Sequence, residues 1–167
     1  MSNSGYIKTT WNINNFKSLE YKFDTHKDDN LLTRFENAGH NRQSMTLYNY
    51  FEPNPMPPVV FEIANLFSLD NVSVAINLFK PGQYLPYHVD LFQKYRQVHG
   101  LEEDAKISRI IVMLEDSEYG QISQVRDQTY GKWSAGFYLK WYEPDFHAFY
   151  NFSTTDRYAI QITGVDK

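Results

Sequence analysis

The sequence predicts a mainly β jelly roll with N-terminal helices packed on one of its sheets. Three observations predict it. From Asp70 onward, apolar residues recur at a period of two. Gly, Pro, Asp and Ser cut that pattern at short intervals into about eight strands. Aromatic residues make up 17% of the chain, and bulky rings pack well on pleated surfaces. Eight short antiparallel strands in two sheets is the jelly-roll count.

The elements follow in order. Asp28 to Ala38 reads as a short helix, with Leu31, Leu32, Phe35 and Ala38 at helical spacing and Gly39 at its end. Phe51 to Pro58 is proline-rich and must be an extended connection. A second helix follows, with Pro57 or Pro58 in its first turn and Val59, Val60, Ile63, Leu66 and Phe67 as its apolar stripe. Val72, Val74, Ile76 and Leu78 then mark a strand, and Pro81-Gly82 a turn. Tyr84 to Asp90 reads as a second strand, and Leu91 to Gly100 as a polar loop or short helix. The remaining strands are expected at Ile107 to Leu114, Gln121 to Arg126, Lys132 to Trp133, Phe137 to Trp141, Phe146 to Phe152 and Arg157 to Thr163. With 167 residues the expectation is one domain. Residues 1–69 would support it and residues 70–167 would form the β core.

Composition removes several functions. There are no cysteines, which excludes disulfides, thiolate metal sites and cysteine nucleophiles. A net charge of -4 lacks the basic field that non-specific nucleic-acid binding needs. Nucleic acid is therefore not the expected partner. No stretch approaches a membrane span, and Met1 to Thr10 has no apolar signal core. A cytoplasmic location with no membrane partner is expected.

His88-Val89-Asp90 sets an imidazole and a carboxylate two residues apart. On a strand, such residues share a face and can reach one point in space. A second His would complete a facial triad with open positions for substrate and O₂. The tripeptide alone is weak, since about 0.3 copies are expected by chance in a chain of this composition. The distal sequence adds weight. His147 begins the penultimate strand, and Arg157 opens the last one. A hairpin between them would bring the guanidinium to the same cavity, where it could grip a carboxylate with two parallel hydrogen bonds.

Lys80 to Asp90 resembles the segment of prolyl-4-hydroxylase-type 2-oxoglutarate oxygenases in which a Gly-Gln pair, here Gly82-Gln83, precedes an HxD motif. Ser108 to Asp116 with Gly120 resembles that family's central strand pair. Asp145 to Gly164 is similar to the barrel end of those enzymes and of aspartyl/asparaginyl hydroxylase-like members. The resemblance runs from about Asn71 to Val165. It implies a double-stranded β-helix, the cupin-like variant of the jelly roll. It implies Fe(II) held by His88, Asp90 and His147, and 2-oxoglutarate held by Arg157. O₂ is then the oxidant, ascorbate a reductant, and the reaction a hydroxylation that releases succinate and CO₂. The further partner would be a primary substrate, with a peptide or protein side chain favoured over a free amino acid.

The sequence departs from the family at three places. Phe79 stands where prolyl hydroxylases carry a cosubstrate-binding tyrosine, with Tyr84 or Tyr87 as the substitutes in reach. Arg157 replaces a frequent lysine, and Gly120-Gln121 a double glycine. Proline as substrate is therefore not implied.

Other residues carry two readings each. Arg109, mid-strand in an apolar run, either faces 2-oxoglutarate or an acidic substrate, or is an edge charge that guards against aggregation. Asn151 supports His147 or the cosubstrate, or is a turn residue before Ser153. Asn77 is a polar residue on a buried strand and could stand behind the ligands. Trp133 and Trp141 read as core, and Tyr130 as a loop aromatic. Lys94 and Arg96 read as solvated. His26, His40 and His99 lack a partner at ligand spacing. Leu91 to Lys106 would be a natural lid. Three other functions remain open: a cupin-type metalloenzyme without 2-oxoglutarate, a metal-free jelly-roll binding or structural protein, and a nucleobase-modifying oxygenase.

Overall fold

The computed structural model of the chain describes residues 3–24 and 29–167. Strands β1 (Asn3–Tyr6), β2 (Lys22–Phe23) and β3 (Tyr48–Phe51) come from the N-terminal part, together with helices α1 (Asn14–Lys17), α2 (Asp29–Asn37) and α3 (Pro58–Ala64). Eight strands follow: β4 (Leu69–Phe79), β5 (Gln83–His88), β6 (Ile107–Met113), β7 (Gln121–Val125), β8 (Gln128–Tyr130), β9 (Phe137–Tyr142), β10 (His147–Asn151) and β11 (Arg157–Asp166). Helix α4 (Gln93–His99) lies between β5 and β6.

The eleven strands form two antiparallel sheets. The large sheet runs β1-β9-β6-β11-β4-β3-β2, and the small one β5-β10-β7-β8. Because successive strands mostly cross from one sheet to the other, the chain winds as a double-stranded β-helix. The expected fold class is the observed one: mainly β, jelly roll, cupin-like.

Period-two patterning decides what each sheet buries. On β4, Val74, Ile76 and Leu78 face α1 and α3, and meet Phe16, Val60 and Ile63 in one core. The opposite face turns inward. Phe79, Ile111, Met113, Leu139, Trp141 and Ala159 pack there against Val125 and Phe149 of the small sheet. Helix α3 opens on Pro58, where a missing N–H costs nothing. Helix α2 covers the outer face of the small sheet instead, through Leu32 and Phe35 against Tyr84 and Tyr150. Helices thus back both sheets rather than one.

Three expectations are corrected. The N-terminal third is not only helical, since β1, β2 and β3 extend both edges of the large sheet. Those strands have two to four residues, too short to show a period. The strand expected at Lys132–Trp133 is β8, at Gln128–Tyr130. Trp133 instead accepts from the Ser117 N–H at its carbonyl and donates its own N–H to Ser117 Oγ. Strand β5 stops at His88, so Asp90 lies beyond it. The segment after Leu91, expected as a polar loop or short helix, is helix α4, tied down by Arg96, which reaches Glu143 at 2.6 Å and the Glu102 carbonyl at 2.7 Å. Of the expected helix at the start of the chain, Asp28 lies outside the described residues, as does His26.

Gly120 shows how tightly the sheets close. It has φ +92°, and a Cβ there would come within 2.8 Å of the Phe152 backbone.

Ile160 is fully buried in the core under α1 and α3. Truncating it removes apolar contacts and leaves a cavity. Ile160→Ala is expected to lower the unfolding free energy by about 2–5 kcal/mol, read from urea denaturation with an unchanged m value.

Candidate metal centre

His88 is the last residue of β5, and His147 the first of β10. The two are direct cross-strand partners. Their rings lie 4.3 Å apart, centroid to centroid. Each Nδ1 lies by a backbone carbonyl, at 2.7 Å from Pro86 for His88 and 3.1 Å from Asp145 for His147. An Nδ1–H donated to a carbonyl leaves Nε2 as a free lone pair. Both Nε2 atoms face Asp90, at 3.7 Å from Oδ1 for His88 and 3.6 Å from Oδ2 for His147. The chain bends after His88, so Asp90 reaches the histidines from a loop and not from the shared strand face. All three ligand atoms lie within 4.8 Å of one another. Ligands about 2 Å from a common ion lie roughly 3–4 Å apart, so a small contraction closes this group around a metal. Among the described residues it is the sole such group.

The protonation states suit a cation. Burial alone would raise the Asp90 carboxyl. The Arg109 guanidinium, ahead of the two neighbouring histidines, outweighs burial and holds it well below the usual carboxylate range. His147 is pushed down to about 4, chiefly by burial, so its ring is neutral at physiological pH. Deprotonated carboxylate and neutral imidazole are the forms that bind metal.

Arg157 is the second charged feature. It is fully enclosed and sits among the rings of Phe79, Trp133 and Phe149, with the Trp133 ring at 4.9 Å. It donates to the carbonyls of Ile122 and Tyr150 and to Ser123 Oγ. No carboxylate pairs with it among the described residues. Burial alone pushes its pKa down to about 9, and its Nε has no partner. A buried cation without an anion is costly. Arg157 and the three ligand residues line one narrow cavity of about 40 Å³, with Phe79, Leu85, Ile111, Trp141, Phe149 and Gln161 among its walls. An outer groove of about 390 Å³ shares His88, Asp90, Leu47, Leu85 and Gln161 with it and opens between α2 and the sheets.

Other expected site residues lie elsewhere. Tyr84 points to the outer face of β5, against His40, Tyr150 and Phe152, because its neighbour Leu85 takes the inner face. Tyr87 stacks on Phe146 and donates to the Arg126 carbonyl. Neither stands in for the missing tyrosine. Asn151 is fully buried, but its Nδ2 donates to the Phe79 and Thr155 carbonyls and its Oδ1 accepts from Ser153. It fastens the β10–β11 turn to the end of β4 and does not line the cavity. Arg109 is on an interior strand, so it is no edge charge. Its Nη2 lies 3.2 Å from Asp90 Oδ2.

Asn77 lines the cavity and donates to Asn49 at 2.7 Å. Trp141, read as core, lies against His147 at 4.6 Å, and its Nε1 is buried without a partner. Gln161 passed unnoticed in the sequence. It shares the inward phase of β11 with Arg157 and Ala159, and counting by twos from Arg157 would have found it. His99 lies near Ser73 and His40 near Tyr84.

No protein-family model and no curated protein sequence matches the chain. Solved structures do. A prolyl-4-hydroxylase from Pseudomonas putida superposes with a TM-score of 0.55 at 10% identity, over 93% of this chain and 97% of that one. A proposed sugar phosphate isomerase from Acidithiobacillus ferrooxidans gives 0.50 at 10% identity, over 94% and 75%. The shared feature is the arrangement of the strands. At such identity the likeness is one of fold, and the two proteins carry different names on it. No helix among the described residues is long and apolar enough to cross a membrane.

The buried neutral His147 generates a pH prediction. Between its ordinary 6.5 and about 4, the unfolded chain takes up a proton that the folded one refuses. Stability therefore rises with pH across that window. The contribution is complete above 6.5 and is lost as pH falls through 4. It is of order 3 kcal/mol. Asp90 adds a loss of the same sign at lower pH. Denaturation at pH 7 and pH 4.5 should show the slope for the unaltered chain and a flatter one for His147→Gln.

Proposed function

We propose that this chain is an Fe(II)- and 2-oxoglutarate-dependent dioxygenase that hydroxylates a C–H bond, with a peptide or protein side chain as the favoured substrate. The observation that carries the reading is Arg157, a buried cation without an anion among the described residues, in the same cavity as His88, Asp90 and His147. A dicarboxylate answers both ends of that cavity. The donor set also fits iron, since two imidazoles and a carboxylate with open positions are the ligands of non-haem Fe(II) oxygenases.

His88 Nε2, Asp90 and His147 Nε2 would hold the ion, and the Pro86 and Asp145 carbonyls would keep both rings in the ligating tautomer. Arg157 would bind the distal carboxylate, with Ser123 and the Ile122 and Tyr150 carbonyls fixing the guanidinium. When bound, iron with 2-oxoglutarate and O₂ supplies the oxidising power for hydroxylation, with succinate and CO₂ as coproducts. Phe79, Leu85, Ile111 and Phe149 keep the inner cavity dry. The outer groove leaves the substrate a path to the ion past Asp90 and Gln161. The net charge of -4 favours a partner other than nucleic acid, and ascorbate would serve to restore Fe(II).

One observation favours the second reading, a cupin-type metalloenzyme that does not use 2-oxoglutarate. The inner cavity of about 40 Å³ has room for about three water molecules. A dicarboxylate of ten heavy atoms needs Leu47 and Leu85 to give way. Succinate release separates the two readings.

Anaerobic addition of Fe(II) and 2-oxoglutarate should produce a weak visible charge-transfer band. His88→Ala should abolish it. Arg157→Lys, which keeps the charge but loses the fork, should raise the 2-oxoglutarate dissociation constant at least about tenfold, the worth of one charged hydrogen bond. Folded, iron-loaded protein that gives no band and no succinate would overturn the proposal.

A further inference from the structure

We propose that Arg109 is a positioning residue of the metal centre: it holds Asp90 through Oδ2, so that the carboxylate stays turned toward the Nε2 atoms of His88 and His147. The inference rests on the metal-binding reading of the site. It reassigns Arg109 from a cosubstrate contact to a clamp on a ligand.

Position comes first. Arg109 lies in the middle of β6, paired with Trp141 on β9 and with Thr163 on β11. Its backbone is fixed on both sides. It lines the outer groove and is absent from the walls of the inner cavity. It is therefore placed for Asp90 and not for a group gripped by Arg157.

Contacts come next. The side chain is 14% exposed, and its Nη2 lies 3.2 Å from Asp90 Oδ2. Its guanidinium sits 4.9 Å from the Phe92 ring. Phe92 has φ +47°, a region in which bulky side chains are strained. The chain adopts this bend two residues after Asp90, and the Phe92 ring packs on the guanidinium that holds Asp90. Arg109 Nε is buried and has no partner. With so little solvent to share, the cation is committed to one carboxylate and one ring.

Chemistry gives the clamp its purpose. Asp90 stands beyond the end of β5, so no strand aims its side chain. With Oδ2 held by Arg109, the carboxylate keeps its place before both histidines, 3.7 Å and 3.6 Å from their Nε2 atoms. The charge of Arg109 by itself works the other way, because a cation beside a divalent ion repels it. The two effects thus have opposite signs on removal of the side chain.

The test uses the full-length chain and Co(II), whose visible spectrum reports coordination. Arg109→Met keeps the bulk but loses both charge and donors. It is expected to weaken Co(II) binding by about 10–100-fold, the usual loss for an outer partner of a ligand, and to alter the visible spectrum. Arg109→Lys should recover most of the affinity. Equal or tighter binding by Arg109→Met, with an unchanged spectrum, would overturn the clamp and leave only charge repulsion. Should the Met variant fail to fold, Phe92→Leu decides. It should weaken binding several-fold, and unchanged affinity and spectrum would overturn the clamp as well. Absence of Co(II) binding by the unaltered chain would remove the metal centre itself, and the clamp with it.

Discussion

One register holds the site together. On the small sheet, β10 lies between β5 and β7, and His147 stands opposite His88 on one side and Val125 on the other. A slip of one residue would turn His147 out of the barrel and bring Ala148 in, because strand side chains alternate faces. The same slip would carry Phe149 out of the interior core and move Asn151 away from the Phe79 and Thr155 carbonyls. Ligand geometry, core packing and the closure of the last turn therefore depend on one set of backbone hydrogen bonds. The Asn151 amide secures that set at one end, and the His147 Nδ1–Asp145 contact secures it at the other.

Charge organises what the register leaves open. The interior holds two arginines in different conditions. Arg109 has an anion in Asp90. Arg157 has backbone carbonyls, a hydroxyl and aromatic faces, but no anion. The three buried side-chain nitrogens without partners among the described residues belong to Arg109, Trp141 and Arg157, all of which stand around the ligand group. An interior that satisfies its polar groups elsewhere and leaves N–H groups unmatched here is arranged for something that brings acceptors.

Much of this was legible in the sequence, because the relevant physics is local. The run from Val72 to Leu78 alternates, so β4 could be read directly. Pro58 announced α3. His88, Asp90 and His147 carry donor atoms whose types suit a metal, so the group could be read, although the shared strand face expected of His88 and Asp90 gives way to a loop after His88. Other features were not legible. Tyr84 and Leu85 are both apolar enough to face inward, and only the pairing with β10 decides which does. Asn151 offers the same amide to a ligand or to a turn, and the turn took it. Arg109 had no visible partner, since Asp90 meets it from the loop after β5, across the α4 segment, with no spacing rule to link them. Strands β1, β2 and β3 are too short for any pattern to rise above chance.

Those short strands have a bearing on the behaviour of the molecule in company. Without them the large sheet would end on β9 and β4, strands of six and eleven residues with open rows of N–H and C=O groups. Such borders recruit other chains. The N-terminal part covers them with a four-residue border at β1 and a two-residue one at β2, too brief to template a neighbour. The segment that adds nothing to the ligand set thus shortens the borders along which another strand could pair.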